Sequence, residues 1–278
     1  MKHSIFFIMT LIALLLAACG GEGGSGNLIT EDREVSGFER VELAGEGELT
    51  LTQGGTESLT IEAEDNVMPQ IKSEVRNGTL VIGLDSGWWD RVEPTKPIKF
   101  DLTVKDLAGL SLSGSGSINS ANLNTEDMDL TVSGSGRVQI ANLATEDMDL
   151  TLSGSGRIEV ANLAAKDLLL DLSGSGQVAI GTLSAEKVEG DLGGSGKVEL
   201  AGLVSEQKIT VSGSANYRAA ELESQEVEVE VSGAGEVAIW ATESLDVEIN
   251  GSGEVDYVGA PTLTQDISGS GRVTRLNQ

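Results

Sequence analysis

Four groups of residues in this 278-residue chain have types and spacings that could do chemistry. They are a lone thiol, Cys19, an adjacent indole pair, Trp88 and Trp89, and two carboxylate ladders, Asp127, Asp147 and Asp167 on one and Asp129 and Asp149 on the other. Cys19 is the only Cys and His3 the only His. A Cys protease, a histidine-based Ser-His-Asp hydrolase, a Cys/His zinc site and a disulfide framework are therefore excluded by counting.

The ladder carboxylates recur at one interval. If they stack in register about 4.8 Å apart, like charges repel by about 1 kcal/mol per neighbouring pair even in water. Ca²⁺, which takes hard oxygen ligands, is one source of relief, with Asp127, Asp129, Asp147, Asp149 and Asp167 as its ligands. Solvation, salt and the nearby Lys166 and Lys187 are another, and the Gly-Gly-x-Gly-x-Asp nonapeptide of Ca²⁺-binding β-rolls is absent. No cofactor is required on this reading. Trp88 and Trp89 lie in the loop Asp85 to Arg91, where paired rings suit the apolar faces of a sugar, or else cover an open end of the fold or a chain contact. β-Helical enzymes that cut acidic polysaccharides gather their carboxylates once, whereas here the acids are spread by a repeat, so no catalytic site is expected.

That repeat must position all of these groups. From Leu110 onward the chain returns to Ser-Gly-Ser-Gly or a close variant, with the first Gly at Gly114, Gly134, Gly154, Gly174, Gly194, Gly213, Gly233, Gly251 and Gly269. The first five copies are 20 residues apart and the others 18 to 20. Two residues before that Gly every copy is aliphatic, from Leu112 to Ile267, and four after it the residue is Ile, Val or Tyr217. Between the corners, apolar and polar residues alternate, as in Met128, Leu130 and Val132 against Asp129 and Thr131. Period two with β-branched enrichment specifies half-buried strands, and glycine supplies the positive φ of a sharp corner. Two strands per copy fit a coil of a parallel β-helix or a hairpin of an antiparallel meander. Like-on-like columns such as Asn122, Asn142 and Asn162 favour the coil. A membrane barrel is disfavoured by the missing aromatic girdles.

A net charge of −26 makes nucleic acid a poor partner, since phosphate neutralisation needs Lys and Arg. Residues 1–18 read as a secretory signal, with Lys2 before an apolar run from Ile5 to Leu16. It ends Leu16-Ala17-Ala18-Cys19, which resembles the bacterial lipobox, so Cys19 is expected to be acylated and to hold the protein on a membrane without spanning it. Residues 19–30 then read as a flexible Gly-rich tether, 31–109 as an irregular β-rich cap and 110–278 as the repeat solenoid. Within the cap, Asn77-Gly78 marks a hairpin or corner, and Asp65 to Ile71 a short helical turn over one end.

The succession Gly37-Phe38-Glu39-Arg40-Val41, Leu51-Thr52-Gln53-Gly54, Leu59-Thr60-Ile61-Glu62-Ala63 and Val75-Arg76-Asn77-Gly78-Thr79-Leu80, followed by Ser-Gly-Ser-Gly copies, resembles the bacterial head GIN domain family. The resemblance implies a β-helical fold and an envelope location for an auto-transporter adhesin-like protein, and brings no catalytic residues with it. The extra, nearly identical copies between Leu110 and Leu203 imply a longer solenoid than the usual member's. The combined expectation is an all-β, right-handed parallel β-helix with about 20 residues per coil. It would serve as a non-enzymatic, lipid-anchored, extracytoplasmic head at the outer membrane or cell surface, for adhesion to a surface glycan or protein. The alternative is a polysaccharide-binding or polysaccharide-cleaving β-helix using Trp88 and Trp89.

Overall fold

A computed structural model describes residues 23–84 and 92–276. Cys19, Trp88 and Trp89 lie outside the described residues. The expected parallel solenoid is what the chain forms. Asp127–Gly134 pairs parallel with Asp147–Gly154, residue for residue 20 positions on, and Arg137–Ala144 pairs in the same way with Arg157–Ala164. The pattern runs on to Arg272–Arg275, so each column of the sequence becomes a rib along the solenoid.

One coil shows how the sequence folds it. Met128, Leu130 and Val132 point inward along the first side and are buried. At the corner the amides of Ser135 and Gly136 both donate to the Gly114 carbonyl of the coil before, each at 2.9 Å. Val138 and Ile140 then point inward along the second side. Ala141 and Asn142 are consecutive outward residues, which breaks the alternation and bends the chain before Leu143 turns inward again. Copies shorter than 20 residues lose residues near this second bend: register shifts fall between Ile180 and Leu183 and between Glu199 and Ala201. The Ser-Gly corner keeps its alignment, since Gly194 still pairs with Gly213.

The cap is threaded out of sequence order. Its strands are β1 (Leu28–Arg33), β2 (Arg40–Gly45), β3 (Glu48–Gln53), β4 (Ser58–Glu64), β5 (Ile71–Arg76), β6 (Thr79–Leu84) and β7 (Lys99–Val104), and the repeats begin with β8 (Gly109–Gly114) and β9 (Ser117–Asn124). β2 and β3 form a coil that lies between β6–β7 on one side and β8–β9 on the other, all parallel. The chain therefore lays down an inner coil first, crosses to the outside as β4 and β5, returns through β6 and β7, and steps over the inner coil to enter β8. β4 and β5 pair antiparallel with β7 and β6, and β1 pairs antiparallel with β4. Antiparallel strands end a parallel stack because they reverse the chain without needing another coil. The turn between β5 and β6 is the expected Asn77-Gly78, with φ of 51° and 77°. The expected helical turn is a short 3₁₀ segment, Met68–Gln70, which buries Val67 and Met68 over the end of the core.

The inner coil carries a corner that the repeat count misses. Ala44-Gly45-Glu46-Gly47 aligns with the first Ser-Gly corner, Gly45 opposite Gly114. Leu43 and Leu49 occupy the aliphatic positions two before and four after that Gly, and both are fully buried. Glu replaces the outward Ser and nearly 70 residues separate the copies in sequence, so a fixed-period search passes over it.

Among the described residues the core holds one clear misfit. Ser120 stands in the inward column between Leu51 and Ile140. Its hydroxyl is buried without a hydrogen-bond partner. An unpaired buried hydroxyl costs about 1–3 kcal/mol, and each methyl group added in its place gains up to about 0.8 kcal/mol. Ser120→Val is expected to stabilise the protein by about 1–2 kcal/mol in urea unfolding. A loss of stability would mean that the column has no room for the extra carbon.

Candidate functional site

The expected Asp ribs exist. Asp127, Asp147 and Asp167 stand in one column, but Lys187 follows them in the next coil and ends the run of like charge. Asp129 and Asp149 stand in a second, which continues as Leu169 and Glu189. Gly109 pairs with both Arg40 and Asp129. It has no side chain in the way, so the Arg40 guanidinium reaches across it to Asp129 at 2.6 Å. Lys166 lies 3.8 Å from Asp167. Among the described residues no three acidic, His or Cys side chains converge as a metal-binding group. Each rib thus meets a cation from the chain itself at one end, Lys187 and Lys166 beside Asp167 and Arg40 on Asp129.

The second bend carries an amide ladder. Asn142 Nδ2 donates to Asn122 Oδ1 at 2.9 Å and Asn162 Nδ2 to Asn142 Oδ1 at 2.9 Å, and Thr182 continues the column. Equal spacing of equal side chains lets each amide donate to the coil below, as in cross-β stacks. Gln53 closes the cap end of this side by pairing with the Asn124 backbone as a strand would, donating at 2.9 Å and accepting at 2.8 Å. The ladder borders an open groove of about 790 Å³ floored by Ala144, Ala164 and Ser184. Such a surface offers repeated hydrogen-bond donors and acceptors to a polar ligand.

A polar clasp, unseen in the sequence, fixes the N-terminal segment to the cap. Glu64 is buried and accepts from Gly26 N at 2.6 Å, Thr95 Oγ1 at 2.6 Å, Thr95 N at 2.7 Å and Lys96 N at 3.2 Å. Beside it, Asp65 accepts from Ser25 Oγ and Asn27 Nδ2, and Asn66 bonds Ser25 N and Gly23 O. Gly23 to Thr30 is therefore docked, where glycine content suggested a flexible tether. Three consecutive side chains can do this because they span the end of β4, Glu64 being its last residue, where the chain leaves the ladder and turns into the 3₁₀ segment.

The hydrogen bonds, led by that from the Thr95 hydroxyl, hold the Glu64 carboxyl down from 4.5 to about 2. Asp65 is lowered too, chiefly by Asn27. A carboxyl with a depressed folded-state pKa stabilises above its ordinary value and loses that contribution as pH falls through the folded one. The clasp is expected to hold at neutral pH and to open between pH 4.5 and about 2, measured as faster amide exchange at Gly24 and Gly26. In Glu64→Gln the same amides are expected to exchange fast already at pH 7; pH-independent protection in the parent protein would rule out the carboxylate as the holding group.

A second buried polar group lies inside the solenoid. Tyr217 OH donates to Gln207 Oε1 at 2.7 Å, Gln207 Nε2 donates to Ser224 Oγ, and Ser224 Oγ donates to Leu222 O at 3.1 Å. All three side chains are buried, and burial pushes the Tyr217 phenol well above its ordinary value, so it remains a donor. Only the Gln at a column otherwise held by Val188 and Val227 hinted at this in the sequence.

A parallel β-solenoid head whose sides present ribs of repeated amides, hydroxyls and carboxylates is the class of protein this architecture defines. The family model described as "Putative auto-transporter adhesin, head GIN domain" matches residues 37–164 and again 148–261, and the chain belongs to that family. The two matches overlap at residues 148–164, as a repeated coil permits. Among solved structures, a "putative adhesin" from Parabacteroides merdae superposes with a TM-score of 0.70 at 20% identity, covering 92% of this chain and 98% of that one. A "putative adhesin" from Parabacteroides distasonis gives 0.70 at 20% identity over 92% and 100% of the two chains. A "putative lipid binding protein" from the same species gives 0.68 at 24% identity over 93% and 100%. At these identities the likeness establishes the shared fold. Among curated proteins none matches the chain.

Proposed function

We propose that this protein is a non-enzymatic cell-envelope lipoprotein, anchored through acylated Cys19, whose stiff solenoid head makes adhesive contact with a surface ligand. The clasp carries this reading. Cys19 is four residues from Gly23, so the anchor sits within about 14 Å of the docked segment along an extended chain. A head held that closely by its capped end leaves the repeat ribs free along their length, where repeated weak contacts add up by multivalency. Family membership supports the extracytoplasmic, adhesin-like reading, as do solved structures of the same fold that bear that name. No helix of the described residues is long and apolar enough to cross a membrane.

Metabolic palmitate labelling of the full chain tests the anchor: labelled protein is expected in the membrane fraction, and Cys19→Ala is expected to lose both the label and the membrane. Membrane retention of the unlabelled variant would remove the anchor from the proposal. Proteinase shaving of intact cells then reports on which side of the envelope the head stands. The second reading, a polysaccharide-binding head with Trp88 and Trp89 as its stacking pair, is separated by a glycan array on which Trp88→Ala and Trp89→Ala abolish the signal.

A further inference from the structure

The charge of this molecule is segregated around the coil. Beyond the Ser-Gly corner from the Asp ribs, the first outward column of the second side reads Ser117, Arg137, Arg157, Gln177, Lys197 and Asn216 in register. Six consecutive coils carry no carboxylate there, in a chain whose net charge is −26. Arg137 and Arg157 are neighbours in the ladder, like charge on like charge. The next outward column neutralises one of them, Arg157, through Glu159. Glu159 is held at 2.7 Å by Gln139 and lies 3.4 Å from Arg157, and Arg137 has no ion-pair partner among the described residues. Ser115, Ser135 and Ser155 border the arginines, and with Gln139 they line an open groove of about 480 Å³ that follows the axis.

From this geometry we infer that the Arg137–Arg157 strip is a binding site for an anionic polysaccharide chain, such as a polyuronate, lying along the solenoid axis. The unpaired Arg137 guanidinium, and the Arg157 guanidinium that meets Glu159 through one nitrogen only, supply planar, forked donors that suit carboxylates, and the flanking hydroxyls and amides suit the ring hydroxyls between them. Their rise of about 4.8 Å per coil is comparable with one pyranose unit of an extended chain, so successive sugars meet equivalent side chains. A nucleic acid would lack aromatic platforms in this groove. At physiological salt the Debye length is about 8 Å, so contacts inside the strip outlast repulsion from carboxylates farther round the coil. The inference deepens the adhesive reading by naming the ligand class, and it rests on that reading only for its biological setting.

Binding of the full chain in nonionic detergent to polygalacturonate, with neutral dextran and phosphatidylglycerol vesicles as comparison probes, tests this at about 100 mM salt. The intact protein is expected to bind polygalacturonate and not dextran, and Arg137→Gln with Arg157→Gln to weaken that binding at least about tenfold. Arg272→Gln with Arg275→Gln, which removes the same charge from the last strand, is expected to bind as the parent does. The inference is overturned if both double variants weaken equally, if neither does, if dextran is bound as well, or if the intact protein binds only the vesicles or nothing. Because the assay needs no anchor, its failure leaves the Cys19 labelling result standing, and failure of labelling leaves this binding intact.

Discussion

Gly154→Val is expected to destabilise the solenoid by about 3–5 kcal/mol. Gly154 has φ of 115°, which a β-branched residue does not adopt without strain. A Cβ there would also stand 2.5 Å from the Gly134 carbonyl oxygen, the acceptor for the Ser155 amide at 2.8 Å. The backbone cannot retreat, because that carbonyl belongs to the ladder of the coil beneath. Gly156→Ala is the matched control. Its φ is ordinary and one copy already carries Ala215 at the equivalent corner position, fully buried. A Cβ at Gly156 would meet the Gly136 carbonyl at 2.8 Å, so a smaller loss of about 1–2 kcal/mol is expected. Since repeat arrays unfold piecewise, the comparison is best read by hydrogen exchange across neighbouring coils as well as by urea midpoint. Equal losses at the two glycines would show that φ and carbonyl contact do not set the corner.

Tyr217→Ala is expected to cost as much, about 3–5 kcal/mol, for a different reason. The ring fills a column held elsewhere by Val198 and Val237, so truncation leaves a cavity between coils. It also orphans Gln207 Oε1 in the dry interior. Tyr217→Phe separates the two contributions: it keeps the ring and should cost about 1–2 kcal/mol for the lost hydrogen bond. Replacing the group as a whole, by Gln207→Val, Tyr217→Phe and Ser224→Ala together, is expected to recover most of that loss, since no polar atom is then left unpaired. If the triple variant is less stable than Tyr217→Phe alone, the three side chains serve packing rather than mutual satisfaction. The measurement is again urea unfolding, with near-ultraviolet circular dichroism reporting on the tyrosine.

The corner and the triad differ in how much of them could be read beforehand. The corner glycines recur with their aliphatic partners at fixed offsets, so their column was legible. The tenth corner, at Gly45, was hidden by Glu46 and by chain separation, although its Leu43 and Leu49 follow the same rule. Tyr217 looked like a substitution in an aliphatic column, and neither Gln207 nor Ser224 announced that it would meet the ring. The clasp was less legible still, because Glu64, Asp65 and Asn66 read as an ordinary polar turn until Gly24 to Asn27 and Thr95 are brought to them by the antiparallel pairing of β1 on β4.

Periodicity of two within a copy and of 18 to 20 between copies determined, from the sequence alone, the strands and the contents of each column, and it favoured the parallel register over the antiparallel meander that it left open. It could do so because stacking in a solenoid joins a residue to its own equivalents, and equivalents are visible in a list. The order of coils in the cap, the docking of the N-terminal glycines and the buried triad were decided only in three dimensions. Each joins residues that are not equivalents, through reversal of the chain or passage around the coil, and their pairing depends on which side of the body they reach rather than on their interval.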